Sequence, residues 1–185
     1  MPLTIRPAAD DDAAAIARIY NQGIAERGAT FETEPRSIDD IVARLREQSR
    51  FPMLVAEDDG TVVGWAGLGS YRARACYAGI GEFSIYLDRA ARGRGAGRTL
   101  LEALIDAARG HGYWKLVSRI FPFNAASRAL CRACGFREVG VYEKHGRLDG
   151  QWMDVVIVER VLTENLNEPG ALATAEPNTV ISDQE

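Results

Sequence analysis

The sequence predicts an α/β protein of the α+β kind, a central mixed β-sheet flanked by helices. Three observations carry this. Apolar runs of strand length alternate with helical stripes from Ile5 to Leu162. Taken in order, the elements read β-α-α-β-β-β-α-β-α-β-β, so hairpins and a crossover share one chain and the sheet holds both pairing senses. The chain has 185 residues, 46% hydrophobic and 26% charged, enough for one domain with a full core.

Each element has a local reason. Leu3-Thr4-Ile5-Arg6 is a short strand ended by Pro7, and Asp10 to Asp12 supply caps and acid charge for a helix whose stripe is Ile16, Ile19, Tyr20, Gly23 and Ile24. A loop with Gly28-Ala29-Thr30-Phe31-Glu32 leads to Ser37-x-x-Asp40, a capping-box variant, and a second helix marked by Ile38, Ile41, Val42 and Leu45. Pro52 to Glu57 and Thr61 to Ser70 are strands joined by the hairpin turn Asp58-Asp59-Gly60. Tyr71 to Ala78 reads as an extended stretch carrying Arg72 and Arg74 to the strand Glu82 to Leu87. Asp88 to Ala91 turn the chain. The next helix has Gly97, Leu100, Leu101, Leu104, Ile105 and Ala108 on one face and stops at Gly110 and Gly112. Trp114 to Ile120 is a buried strand, Asn124 caps a helix from Ala125 to Cys134, and Gly135 stops it. Phe136 to Lys144 and Gln151 to Leu162 are the last strands, joined by His145 to Gly150. The domain therefore spans residues 1–162, and residues 163–185 are a polar tail with little to bury.

The strand-turn-helix unit around Arg92-Gly93-Arg94-Gly95-Ala96-Gly97-Arg98 organises the rest. A helix N-terminus presents unpaired N–H groups and a positive dipole end, and glycine lets a phosphate reach the backbone. The turn lacks the Lys of a Walker A loop, and neither Gly93 nor Gly95 starts a G-x-G-x-x-G fingerprint. What remains is R-x-x-G-x-G, as Arg92, Gly95 and Gly97.

Net charge is −4, so nothing draws the whole chain to nucleic acid or an anionic membrane; the exception is local, where Arg89, Arg92, Arg94 and Arg98 crowd the glycine turn and suit a polyanionic cofactor. No apolar run approaches the roughly 20 residues of a membrane helix, and the first six residues are not a signal peptide. Three cysteines, Cys76, Cys131 and Cys134, are few and odd in number, which suits a reducing cytoplasm. Cys131-x-x-Cys134 has no second ligand pair for zinc, and it falls late in its helix, where the dipole opposes a thiolate, so it reads as core and no metal is expected.

Together these features resemble the GNAT superfamily of N-acetyltransferases. Its acyl-CoA signature is the R-x-x-G-x-G turn; Asn124-Ala125-Ala126-Ser127 with Gly135-Phe136 resembles its second cofactor motif. The likeness is nearer to the branch acting on phosphinothricin, methionine sulfoximine and arsinothricin. Its marks are Ile19-Tyr20-Asn21, Ala29 to Glu32, Arg72 and Arg74 ahead of Tyr77, Glu82 to Tyr86, and Gly150-Gln151-Trp152-Met153-Asp154. The resemblance covers roughly Ile5 to Leu162. Cys131 stands where the superfamily often has a Tyr general acid, and Leu148 and Asp149 depart from the branch's late motif.

The resemblance implies acetyl-CoA as co-substrate. It would be held by Ile85, Tyr86 and Leu87, by Arg92, Gly93, Arg94, Gly95, Ala96, Gly97 and Arg98, and by Asn124 and Ser127. It implies Glu82 as the base that takes the amine proton, a backbone N–H within Ile85 to Leu87 as oxyanion donor, and a homodimer pairing through its later strands. Free amines are mostly protonated near neutral pH, so a base is needed. Arg72 and Arg74 offer guanidinium forks for a carboxylate or phosphinate, and Phe31 would close the substrate site. The expected partner is a small anionic amino-acid analogue. An acetyltransferase for peptide N-termini or other amines, and a silent acyl-CoA-binding module, stay open as alternatives.

Overall fold

The computed structural model describes residues 3–167, so most of the expected tail lies outside the described residues. The order of elements is the expected one. β1 is Thr4–Pro7, α1 Ala13–Ala25, α2 Ile38–Leu45, β2 Met53–Asp58, β3 Thr61–Ser70 and β4 Ile80–Leu87. α3 is Ala96–Gly110, β5 Lys115–Ile120, α4 Ala125–Ala133, β6 Arg137–Leu148 and β7 Gln151–Val161. The strands form one seven-stranded sheet in the order β1-β2-β3-β4-β5-β7-β6. The pair β4/β5, bridged by α3, is parallel, and every other neighbour is antiparallel. Among the described residues no helix is long and apolar enough to cross a membrane.

Two layers cover the sheet. On one face α1 and α2 bury Ile16, Ile19, Ile41 and Leu45 against Val55 and Trp65. The capping box forms at α2, where Asp40 N–H donates to Ser37 Oγ at 3.1 Å and Ser37 N–H to Asp40 Oδ2 at 2.8 Å. On the other face α3 buries Leu100, Leu101, Leu104 and Ile105 against Phe83, Leu116 and Val156. Burying those four side chains contributes about 6–12 kcal/mol gross. That outweighs the roughly 1 kcal/mol a helical glycine costs at Gly97. Gly97 is there for space: a Cβ would lie 3.2 Å from Leu87 and 3.4 Å from Leu130.

Two segments differ from expectation. The last hairpin is not joined by a six-residue loop. β6 runs on to Leu148, its register shifts between Tyr142 and Gly146, and a two-residue turn at Asp149-Gly150 closes onto Gln151. The shift is held where Lys144 N–H donates to Asp154 Oδ1 at 2.7 Å. Residues 71–79 bend instead of running extended, with a short 3-10 turn at Ala75–Tyr77, and the rings of Tyr71 and Tyr77 meet edge to face at 5.9 Å to close the loop.

Candidate active site

The sheet splits at Glu82. β4 and β5 pair only through Ile80↔Lys115, Gly81↔Leu116 and Glu82↔Val117. Beyond that rung β4 stays on β3 as far as Leu87, while Ser118, Arg119 and Ile120 stay on β7. Strand alternation decides what faces the notch. Asp88 N–H donates to Val63 of β3, whereas the Phe83 carbonyl accepts from Ser118 Oγ of β5 at 3.0 Å and the Leu87 carbonyl accepts from Arg92 Nε. Odd-numbered backbone groups of β4 therefore point away from β3, and the N–H groups of Ile85 and Leu87 look into the notch. The Tyr86 N–H looks toward Trp65 of β3; its side chain packs against Tyr20 and Trp65, and burial pushes its phenol above the ordinary tyrosine range.

One cavity, of about 620 Å³, opens from the notch over the N-terminus of α3. Ile85, Tyr86, Leu87, Arg92, Gly93, Gly95, Gly97, Arg98, Asn124 and Ser127 all line it. Gly95 is the N-cap of α3 at φ 86°, a left-handed conformation that favours glycine, and a Cβ added there would meet nothing within 4 Å. The first N–H groups of the helix, at Ala96 and Gly97, have no backbone acceptor among the described residues. The turn is thus an open cradle of donors for an anion. Arg94 and Ala96 instead line a hollow on the other side of the turn, beside Arg18 and Asp88. Glu26, at the end of α1, accepts from Arg89 Nε and Arg92 Nη1, both at 2.8 Å. Burial works against its charge, but Arg92 and Arg89 outweigh it and hold the carboxyl below its ordinary range.

A second cavity, of about 390 Å³, lies on the other side of the notch, under the loop after α1. Its walls include Tyr20, Phe31, Glu32, Glu82, Ser84, Ser118, Arg119, Phe121 and Cys131, and it shares Ile85, Tyr86, Ala29, Asn124 and Ser127 with the first. The two cavities therefore meet in the notch. Glu82 sits on its floor. Arg119 Nε donates to Glu82 Oε1 at 2.9 Å, and Arg119 Nη2 reaches the same oxygen. Phe31 stacks edge to face on Phe121 at 5.0 Å and leans on Gly146, where a Cβ would come within 2.8 Å of its ring. Asn124 Oδ1 accepts from Ser127 N–H at 3.1 Å as the cap of α4, and its Nδ2 donates to Gly28 at 3.2 Å, tying α4 to the loop over the cavity. Cys131 is buried, and desolvation pushes its thiol up to about 12.

Of the residues read from sequence, Glu82, Phe31, Ile85, Tyr86, Asn124 and Ser127 come together on the cavity under the loop. Arg72 and Arg74 are exposed and line neither cavity. They stand on the loop that leaves the sheet one rung beyond Glu82, since Ser70 pairs with Gly81. Arg72 lies over the Tyr71 ring, and among the described residues neither arginine is ion-paired. Sequence reading missed Arg119 and Glu26. Arg119 did leave a signal, a charge inside the otherwise strand-like Lys115–Ile120.

A sequence model of the acetyltransferase (GNAT) family matches residues 16–136. The phosphinothricin N-acetyltransferase of Alcaligenes faecalis is 37% identical over 162 residues, covering 86% of this chain and 82% of that protein. The L-methionine sulfoximine/L-methionine sulfone acetyltransferase of Salmonella typhimurium is 34% identical, covering 88% and 96%. The crystal structure of a GNAT superfamily phosphinothricin acetyltransferase from Sinorhizobium meliloti, in complex with acetyl-CoA, superposes with a TM-score of 0.84 at 32% identity, covering 92% and 94%.

Proposed function

This chain belongs to the GNAT family of acetyltransferases, and from that premise we propose that it moves an acetyl group from acetyl-CoA to the α-amine of a small anionic amino-acid analogue, of the phosphinothricin, methionine sulfoximine or arsinothricin type. The observation that carries the proposal is the split of the sheet at Glu82, which joins a cavity over a donor-rich helix terminus to a cavity holding a carboxylate.

The residues fit the co-substrate. The open turn at Gly93, Gly95 and Gly97, with Arg92 and Arg98 beside it, suits a pyrophosphate, and Arg94 and Ala96 complete the turn by their backbone. When bound, acetyl-CoA supplies an acyl group activated as a thioester. The notch-facing N–H groups of Ile85 and Leu87 are the donors available to a carbonyl oxygen there, and such donors count most where water is excluded. Tyr86 supports that strand by its packing on α1. Asn124 and Ser127 hold α4 against the shared wall of both cavities.

Glu82 takes the proton of the substrate amine. Arg119 engages Oε1 and, among the described residues, no donor engages Oε2, so that oxygen is free to accept. The Cys131 thiol lines the same cavity, but burial raises it to about 12 and makes it a weaker acid than an ordinary thiol, so the coenzyme A thiolate departs without taking a proton from it. Phe31 closes the substrate side. Arg72 and Arg74, exposed on the loop that leaves the sheet one rung beyond Glu82 and not ion-paired among the described residues, attract and hold the distal acid of the substrate. On an amino-acid analogue of this type acetylation masks the α-amine, so we read the reaction as a detoxification or resistance activity, carried out in the cytoplasm by the domain of residues 1–162. Assembly is a homodimer through the exposed edge strand β6, where Val139, Val141 and Tyr142 stand in the open beside Trp152 of β7.

A thiol-release assay with acetyl-CoA over an amine panel tests the reading. The three anionic analogues are expected to rank first in kcat/KM. Arylamines or peptide N-termini ranking above all of them would overturn the substrate class.

A further inference from the structure

We propose that Arg119 is the anchor for the α-carboxylate of the substrate, and that Arg119 and Glu82 form one two-point receptor for an α-amino acid. This rests on the amino-acid reading given above and goes beyond it by assigning the residue that distinguishes an α-amino acid from a plain amine.

The argument starts from the charges of the cavity beneath the loop. Among the described residues that line it, Glu32 and Glu82 are its carboxylates and Arg119 is its one guanidinium. Glu32 is already matched by Arg36 at 2.7 Å. What remains is a carboxylate and a guanidinium side by side, the complement of an ammonium and a carboxylate side by side. Their orientation follows from register. Glu82 pairs with Val117, and Arg119 lies two residues further along β5, so both side chains leave the same face of the sheet.

The hydrogen bonds leave the right groups open. Arg119 spends Nε and Nη2 on a single oxygen, Glu82 Oε1. Its Nη1 donors and Glu82 Oε2 have no partner among the described residues. A guanidinium offers its donors as a planar fork, so Nη1 and the remaining Nη2 donor can take a carboxylate while Nε still steadies the base. In an α-amino acid the amine and the carboxylate sit on one carbon. An amine brought to Glu82 therefore brings its own carboxylate to Arg119. The distal acid, several bonds away, is left for Arg72 and Arg74 on the loop one rung beyond Glu82. The wall at Ser84, Ser118 and Tyr20 is polar but uncharged, so it offers no competing anchor.

The test compares phosphinothricin with its α-carboxamide. Both carry the amine and the distal acid, and only the first carries the α-carboxylate. The parent is expected to favour the free acid by about 10-fold or more in kcat/KM, the worth of one charge-assisted contact. In R119M, which keeps an apolar stem at a half-exposed position, the acid-to-amide ratio is expected to fall to within about threefold of unity. Any displacement of Glu82 after loss of Arg119 acts on both substrates alike and cancels in the ratio. Arg74→Ala is expected to lower both substrates and keep the ratio. R119Q, a polar replacement, gives the same measurement should R119M fold poorly. A parent that does not distinguish acid from amide overturns the proposal, as does an R119M or R119Q ratio equal to the parent's. A parent that acetylates neither compound, while acetylating another amine, removes the amino-acid reading itself and this anchor with it.

Discussion

Adding one methyl group at Gly95 separates cofactor contact from fold stability. Gly95 caps α3 at φ 86°, and Gly60 closes the β2–β3 turn at φ 75°; a Cβ at either position meets nothing within 4 Å. Alanine in a left-handed conformation costs about 1–2 kcal/mol whatever the space around it. For a domain of this size that lowers Tm by roughly 2–8 °C. Gly60→Ala and Gly95→Ala should therefore melt earlier by similar amounts. They should differ in acetyl-CoA affinity. Gly60 lies on a hairpin tip that lines neither joined cavity, whereas Gly95 lines the cavity over the N-terminus of α3, and a new methyl there stands in open space where a phosphate would approach the turn. Losing one charge-assisted backbone contact to phosphate costs about 1.5–3 kcal/mol, or roughly 10- to 100-fold in Kd. Thermal melts with and without acetyl-CoA, paired with calorimetric titration, read both quantities. If Gly95→Ala binds acetyl-CoA as tightly as Gly60→Ala, the pyrophosphate does not sit on this turn.

Glu82→Gln should lower kcat/KM by about 10²-fold or more with acetyl-CoA affinity retained, and a loss under threefold would remove Glu82 as the base. Cys131 carries a pH signature: its folded value is raised from 9.0 to about 12, so the stability it contributes is complete below pH 9 and drains away as pH rises toward 12. Cys131→Ala should flatten the alkaline fall in Tm, and an unchanged slope in buffers above pH 9 would refute the burial argument. Gly146→Ala should push the Phe31 ring from its place and raise KM for the amino acid more than it lowers kcat; kinetics equal to the parent's would mean Phe31 does not shape the site.

Much of the scaffold was legible because it is local. The α3 stripe, the Ser37/Asp40 capping box and the Asp59-Gly60 hairpin each depend on a few adjacent residues, and each stands where the sequence put it. The same Asp-Gly signal recurs at Asp149-Gly150, but the register shift between Tyr142 and Gly146 breaks the strand pattern before it and hides the turn. Arg72 and Arg74 were read on an extended stretch, where alternation puts both on one side; the edge-to-face contact of Tyr71 with Tyr77 folds that stretch back. Arg119 and Glu26 escaped for a different reason. Each meets its partner across a long sequence separation, Glu82 in one case and Arg89 with Arg92 in the other. Such contacts follow from the β4/β5 register and the angle of α1, neither of which a local pattern carries. The notch is also non-local, since nothing in the residues of β4 alone says that β5 leaves it after Val117.

The central claim is acetyl transfer to an α-amine in the notch between β4 and β5. Its most direct test is product identification by mass spectrometry after incubation with acetyl-CoA and phosphinothricin, with free thiol counted in the same sample. The account predicts N-acetylphosphinothricin, acetylated on the α-nitrogen, in a one-to-one ratio with released coenzyme A thiol. Thiol release without an acetylated amino acid, or no release at all while acetyl-CoA is bound, would contradict it.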